Sequence, residues 1–137
     1  MQDRYLFKAK RKDDGEWVFG GLSYCEKTNA YFITNMGKDH ISYIGFHQEV
    51  DSNTICQCTG LKDKNGRVIW ENDIASYSDL ITRDKKTICI EWNKMQASFV
   101  RKYRSPMGLQ YLYLDEYIAS RMEVIGNTFD SPELLEG

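Results

Sequence analysis

The feature that most constrains the fold is one short segment with two chain reversals, TGLKDKNGRVIWENDIASY, which runs from Thr59 to Tyr77. Asn65 and Gly66 tolerate the positive φ that tight turns need, and they mark the first reversal. The run WENDI supplies the second reversal and leads into the strand-like stretch 74–77. Because apolar residues flank both turns, the segment predicts a strand–turn–strand–turn–strand unit.

Two registers are open for the first turn. A two-residue hairpin turn at Asn65-Gly66 would place Leu61 opposite Trp70 as an apolar cross-strand pair. A four-residue type I turn would instead begin at Asp63 and have Gly66 as its fourth residue. We expect Trp70 to be buried and to help fix the strand register.

Two carboxylates, Glu71 and Asp73, flank the second reversal. Paired carboxylates can act as general acid and base. However, the chain contains no Gly-x-Ser-x-Gly, no His-Glu-x-x-His and no phosphate-binding glycine loop. We therefore predict no catalytic residue, and we expect Asp73 to cap the turn by accepting backbone hydrogen bonds.

Short strand-like runs separated by turn signals recur along the chain at a spacing of roughly 8–12 residues, which favours an all-β barrel or sandwich. Leu112, Tyr113, Tyr117 and Ile118 are spaced roughly as one helical face, which predicts a helix near Leu114–Arg121. Ser131 as N-cap and Pro132 in the first helical position predict a short helical turn at Pro132–Leu135. The predicted strands include RYLFKAK, WVFGGLSY, AYFITNMG, HISYIGF, NTICQCTGL, KKTICIEWN, ASFVRKY and MEVIG.

Length, charge and hydropathy favour a small protein and argue against a non-specific DNA-binding protein or a membrane protein. A chain of 137 residues fits one compact domain or two small lobes that share a core. The net charge of −2 lacks the large positive excess with which a non-specific DNA-binding protein displaces counterions from phosphates. The amino-terminal residues contain no apolar signal region, and no run approaches the roughly 18 apolar residues of a membrane span. We therefore expect a cytoplasmic protein without a membrane partner.

The cysteines are expected to be reduced and mostly buried thiols. Cys56 and Cys58, with His40 and His47 nearby in sequence, raise the question of a zinc site. A zinc site needs about four ligands, and Cys-x-Cys lacks the loop spacing of a Cys-x-x-Cys knuckle. We therefore predict no metal and no cofactor. The four cysteines are Cys25, Cys56, Cys58 and Cys89.

The run FVRKYRS combines aromatic and basic side chains on one predicted strand. Aromatic rings beside cations on a sheet surface can bind single-stranded nucleic acid. The commoner alternative is a half-buried strand with a solvated basic face. The candidate nucleic-acid or partner surface consists of Phe99, Arg101, Lys102, Tyr103 and Arg104.

Two motifs resemble the YopX family, small proteins encoded by phages and prophages of Gram-positive bacteria. The first is CTGLKDKNG followed by IWENDI, and the second is the ending EVIGNTFDSPELLEG. Asn72 stands where the family usually has Gly, and since both residues tolerate a left-handed backbone, we expect positive φ there. The residues of the two motifs to which we assign a structural role are Thr59, Gly60, Leu61, Asp63, Asn65, Gly66, Trp70, Glu71, Asn72, Asp73, Ile74, Gly126, Asn127 and Pro132.

The resemblance implies an all-β fold, as a barrel or sandwich with an SH3-like carboxy-terminal portion and one or two short helices near the carboxy terminus. We expect a single YopX-like domain over residues 1–137. An amino-terminal β lobe at 1–57 and a barrel-like lobe at 58–137 are the expected subdivision. The family has no assigned activity, so the resemblance implies no catalytic residue.

Three functions compete. The first is a non-enzymatic phage or prophage accessory protein that assembles with itself or binds a protein partner in the bacterial cytoplasm. Its support is the lack of a catalytic motif and an aromatic content of 13%, because Tyr, Trp and Phe are enriched at interfaces. The alternative is a nucleic-acid-binding module that uses the strand Phe99–Arg104. The third is an enzyme of unrecognised type.

Overall fold

The computed structural model describes residues 5–35 and 46–136, and these residues form mainly antiparallel strands. This architecture confirms the all-β class. The predicted strand HISYIGF lies, except for its last residue, outside the described residues. The strands are β1 (Phe7–Lys10), β2 (Trp17–Cys25), β3 (Ala30–Asn35), β4 (Phe46–Val50), β5 (Cys56–Lys62), β6 (Val68–Trp70), β7 (Asp73–Ser78), β8 (Lys85–Asn93), β9 (Ser98–Ser105), β10 (Gly108–Tyr113) and β11 (Met122–Asn127).

The chain divides into two compact units, Met1–Cys58 and Thr59–Gly137, and the boundary falls within β5. In the first unit, β4, β3, β2 and β1 pair in that order, and β1 also pairs with the start of β5. An Asp-Gly reversal joins β1 and β2, and there the Gly15 N–H donates to the Arg11 carbonyl at 2.9 Å. The core of this unit is formed by Ala9, Val18, Ile33 and Val50.

The second unit contains β6 and a five-stranded antiparallel sheet with the order β10-β9-β8-β7-β11. Because side chains alternate along a strand, Ala75 and its partner Ile88 lie on one face of this sheet, which we call the core face. Cys89 and its partner Lys102 lie on the other face, which we call the opposite face. The buried cluster on the core face consists of Ile69, Ala75, Tyr77, Ile88, Ile90, Ala119, Met122 and Val124.

The predicted helix near Leu114–Arg121 is shorter than expected. Helix α1 spans only Glu116–Ala119, and it is capped by the Asp115 carboxylate, which accepts a hydrogen bond from the Ile118 N–H at 2.8 Å. The terminal turn Pro132–Leu135 is confirmed as a 3-10 turn, but the Ser131 side chain makes no cap hydrogen bond. In the described ranges, no helix is long and apolar enough to cross a membrane.

No disulfide joins the four cysteines, which all lie in the described residues, and three of them, Cys56, Cys58 and Cys89, are buried. Cys56 and Cys58 point to the same buried side of β5, in agreement with strand alternation. The SH3-like character of the carboxy-terminal portion and the single-domain assignment stay predictions.

Candidate functional site

The first turn of the segment that begins at Thr59 is organised around the Asp63 carboxylate. Its Oδ1 accepts hydrogen bonds from the backbone N–H groups of Asn65 and Arg67, both at 2.9 Å. The Asp63 carbonyl accepts from the Gly66 N–H at 3.0 Å, and the Asp63 N–H donates to the Arg67 carbonyl at 2.8 Å. The turn therefore begins at Asp63, as in the four-residue alternative, and Gly66 has the expected positive φ of 78°.

The same carboxylate joins this turn to β11. Asp63 Oδ2 accepts a hydrogen bond from the Val124 N–H at 3.0 Å, and the Lys64 N–H donates to the Met122 carbonyl at 2.9 Å. Burial on its own would raise the pKa of Asp63, but the three backbone hydrogen bonds from Val124, Arg67 and Asn65 outweigh it and hold the pKa below its usual range. The carboxylate is thus an ionised structural centre with most of its lone pairs occupied.

The second reversal is fixed by Asn72 and Asp73. Asn72 has the expected positive φ of 70°. Its N–H donates to the Ile90 carbonyl at 2.7 Å, and its carbonyl accepts from the Thr128 N–H at 3.0 Å. Asp73 is buried and caps the turn as predicted, because its Oδ2 accepts from the Trp70 N–H at 2.8 Å. Glu71 beside them is half-buried.

The closing motif completes the same structural unit. Gly126 and Asn127 of β11 lie opposite Ile74 and Asp73 of β7. A Cβ on Gly126 would lie 2.9 Å from Leu134 Cδ1 and 3.1 Å from Ser131 Cβ, so a side chain at this position would require the terminal 3-10 turn or the Leu134 side chain to shift. The Asn127 Oδ1 accepts from the N–H groups of the two residues that begin the next turn, Phe129 and Asp130, both at 2.9 Å.

Thr59 and Gly60 shape the start of the first motif. The Thr59 hydroxyl donates to the Ile69 carbonyl at 2.7 Å and accepts from the Leu61 N–H at 3.1 Å. Gly60 holds a positive φ of 80°. The two motifs, which are far apart in sequence, therefore meet in one hydrogen-bonded junction, in which side-chain oxygens of Asp63, Asp73 and Asn127 accept hydrogen bonds from backbone N–H groups.

The expected burial of Trp70 is wrong. Trp70 is half-buried, and the fully buried side chain of β6 is its neighbour Ile69. The reason is the register of the first turn, which pairs Asp63 with Arg67 and so shifts the hairpin by one residue from the two-residue alternative. A shift of one residue moves every side chain to the other side of a strand.

The five residues of the candidate surface on β9 separate onto two faces. Phe99 and Tyr103 pack against the core cluster, together with the Arg101 guanidinium, which lies 5.2 Å from the Tyr77 ring. The Arg101 Nε also donates to the Tyr113 carbonyl at 2.6 Å. The aromatic rings of this strand are therefore committed to the core face.

Lys102 and Arg104 lie on the opposite face. The Lys102 ammonium forms an ion pair with Glu91, with 3.0 Å between Nζ and Oε1. The hydrogen bond to Glu91 raises the pKa of Lys102, although burial acts in the other direction. Arg104 is exposed. Both side chains line a cavity of about 550 Å³ together with Cys89 and residues that follow β11.

The sequence did not reveal this cavity, because its two sides come from distant parts of the chain. Leu134 and Leu135 contribute to one side, and β8 and β9 contribute to the other. In the sequence, only the alternation of polar and apolar residues along β8 and β9 indicated that the opposite face of the sheet is also partly covered. Another cavity, of about 540 Å³, lies in the first unit and is lined by Arg11, Lys12, Asp13, His47, Gln48 and Glu49.

Strand β10 is an edge of the five-stranded sheet and carries exposed apolar side chains on both faces. Tyr113 is 74% exposed and Leu112 is 38% exposed. Part of this strand was predicted to begin a helical face, but it pairs with β9, where Tyr113 lies opposite Val100. An apolar edge strand offers backbone groups to another strand.

The described part of the chain contains no group of three or more His, Cys, Asp or Glu side chains arranged to hold a metal ion. His40, one of the two histidines considered for zinc, lies outside the described residues. The absence of a metal and of a catalytic residue stays a prediction.

Three comparisons with known proteins were informative to different degrees. One solved structure that this chain matches, protein EF1440 from Enterococcus faecalis, has 24% sequence identity and a TM-score of 0.48, and the match covers 95% of this chain and 96% of that one. A search of curated proteins finds no match. The family described as YopX protein matches residues 6–136, nearly the whole chain. This chain therefore belongs to the YopX family.

Proposed function

We propose that this chain is a non-enzymatic interaction protein that assembles with itself through the β10 edges of two copies. The observation that carries this proposal is an edge strand, Gly108–Tyr113, whose six residues include four exposed apolar side chains and no charge. Natural edge strands are usually protected by charged residues, proline or bulges. The four exposed apolar side chains are Leu109, Tyr111, Leu112 and Tyr113.

The two edges of the five-stranded sheet differ in a way that supports the proposal. At the β11 edge, the Val124 N–H and the Met122 carbonyl are bonded to the turn that begins at Asp63. The pairing of β11 with β7 is also irregular between Val124 and Gly126, as in a bulge. In the described residues, β10 pairs with β9 alone. The edge that is open to a further strand is therefore β10.

A second copy of this chain is the occupant that best fits the edge. In an antiparallel pair of identical strands related by a twofold axis, each residue meets a residue of the same short segment. Since Gly108–Tyr113 has no charge, such a pair places no like charges opposite each other. Tyr and Leu side chains would instead meet across the pair.

Light scattering at micromolar concentrations tests the proposal with two matched variants. Leu112→Lys adds a charge to the β10 edge, and Ile125→Lys adds the same charge to β11, where the exposed fraction of 41% is close to the 38% of Leu112. We expect the wild type and Ile125→Lys to assemble and Leu112→Lys to be monomeric, with all three folded by circular dichroism. A monomeric wild type, or equal assembly of both variants, would contradict the proposal.

A role as a phage or prophage accessory protein in the bacterial cytoplasm belongs to the same proposal, and its support is membership of the YopX family. Nucleic-acid binding by Phe99–Arg104 has less support. Stacking requires exposed rings, whereas Phe99 and Tyr103 are half-buried against the core cluster. Of the five residues, only Arg104 is exposed.

A further inference from the structure

The cavity of about 550 Å³ in the second unit is large enough for a small ligand. Protein sites for drug-sized molecules usually measure roughly 300–1,000 Å³. One side of the cavity is formed by the opposite face of β8 and β9, and the other side includes residues of the terminal 3-10 turn. Its lining in the described chain combines apolar and charged side chains.

The apolar part of the lining comes from three leucines on two elements. Leu109 belongs to β10, and Leu134 and Leu135 belong to the terminal 3-10 turn. Leu134 is held by its close packing over Gly126, where a Cβ would be only 2.9 Å from Leu134 Cδ1. The three leucines therefore give the cavity an apolar wall.

The charged part of the lining contains two cations on one strand. Lys102 and Arg104 are two residues apart on β9 and so point to the same side. Glu91 holds the Lys102 ammonium at 3.0 Å, and an ammonium can donate three hydrogen bonds. Arg104 forms no ion pair within the described part of the chain. Of the two acidic residues in the lining, Glu91 is thus neutralised by Lys102, and Glu136 is the other.

We propose that this cavity binds a small amphipathic anion, with its anionic group at Lys102 and Arg104 and its apolar part against Leu109 and Leu134. One side of this site is built by Leu134 and Glu136 of the closing motif, and binding does not require self-assembly. Glu136 repels an anion in the same cavity, so its carboxylate weakens binding.

The probe is 8-anilinonaphthalene-1-sulfonate, an amphipathic aromatic anion whose fluorescence rises in apolar sites. We expect saturable binding of one dye molecule per chain. Arg104→Gln should raise the dissociation constant about tenfold, which is the effect of losing one charge-assisted hydrogen bond. Arg121→Gln, an equal charge change at an exposed residue outside the cavity lining, should leave it unchanged. Glu136→Gln should strengthen binding.

A further measurement separates this site from the β10 edge. Binding should persist in Leu112→Lys, since Leu112 does not line the cavity. Equal dissociation constants for Arg104→Gln and Arg121→Gln, or loss of binding in Leu112→Lys, would each overturn the proposal.

Discussion

The Asp63 carboxylate and the Val124 N–H, 61 residues apart in sequence, are joined by a buried hydrogen bond of 3.0 Å. Asp63 belongs to the first family motif and Val124 to the second. This bond explains in part why the two motifs carry so many turn residues. Together they build the junction at the β11 edge of the sheet, whereas β10 pairs with β9 alone in the described residues.

Replacing Asp63 tests the importance of this junction. Asn in its place has one acceptor oxygen and cannot satisfy the three backbone N–H groups that now bond to the carboxylate. We expect Asp63→Asn to lower the free energy of unfolding by about 1.5–3 kcal/mol, the range for hydrogen bonds to a charged group. Urea denaturation measures the change. Asp115→Asn is the control, because Asn caps a helix as well as Asp does, and it should be nearly neutral.

The stability of the protein should depend on the ionisation of Asp63. The pKa of Asp63 is lower in the folded state than its unfolded value of about 4. As the solution is acidified, the unfolded state therefore binds more protons than the folded state does. The stabilising effect is therefore complete above pH about 4 and is lost as the pH falls through the folded-state pKa.

The difference in melting temperature between the wild type and Asp63→Asn isolates the contribution of the Asp63 charge. The pKa values of Asp14 and Asp79 are also lowered, mainly by backbone hydrogen bonds from Glu16 and Thr82, but both residues keep their titration in the variant. Thermal melts between pH 2 and 6, read in the same buffers, should show the two proteins converging at the acidic end. A constant difference throughout would mean that the charge of Asp63 is not what stabilises the turn.

Substitutions at Gly66 and Gly21 measure the effect of backbone strain at two positions where a side chain meets no crowding. A Cβ on either residue would have no atom within 4 Å, but Gly66 has a positive φ of 78°. We expect Gly66→Ala to cost about 1–2 kcal/mol, because L-residues are disfavoured in the left-handed region. Gly21→Ala should instead be neutral or stabilising by up to about 1 kcal/mol, since it reduces the entropy of the unfolded chain. Equal effects in chemical denaturation would show that the first turn has another conformation.

Nucleic-acid binding through β9 should be absent or weak. We expect no saturable change of fluorescence anisotropy with single- or double-stranded oligonucleotides at low salt, where electrostatic attraction is strongest. If binding does occur, it should depend on Arg104 and not on Phe99 or Tyr103. Tight binding that is lost in Tyr103→Ala, with the fold intact, would instead favour the stacking surface considered from the sequence.

Local turn chemistry could be predicted from the sequence, since positive φ at Asn72 and Gly66 and the terminal turn Pro132–Leu135 follow from residue type. The expectations that failed depend on contacts far along the chain. Residues 112 and 113 fit a helical face, but pairing with β9 overrides that local preference and shortens the helix to Glu116–Ala119.

The prediction that Trp70 is buried was wrong for a related reason. The choice between two turn registers decides whether Trp70 or Ile69 faces the core, and the deciding bonds come from the Asp63 carboxylate and from β11. The cavity beside Lys102 likewise needs Leu134, which only the folded chain brings to β9. The sequence indicated the polar residues of β9 but not that the terminal 3-10 turn lies across the cavity from them.

Amide hydrogen exchange of β10 as a function of protein concentration tests self-assembly most directly. In the assembled protein, the outward backbone N–H groups of 108–113 bond to the partner strand, so their exchange should slow as the concentration rises. Exchange in the central strand β8 should not change, and Leu112→Lys should remove the concentration dependence in β10. If light scattering shows assembly while the β10 amides exchange at the same rate at every concentration, then the copies associate through another surface and not through β10.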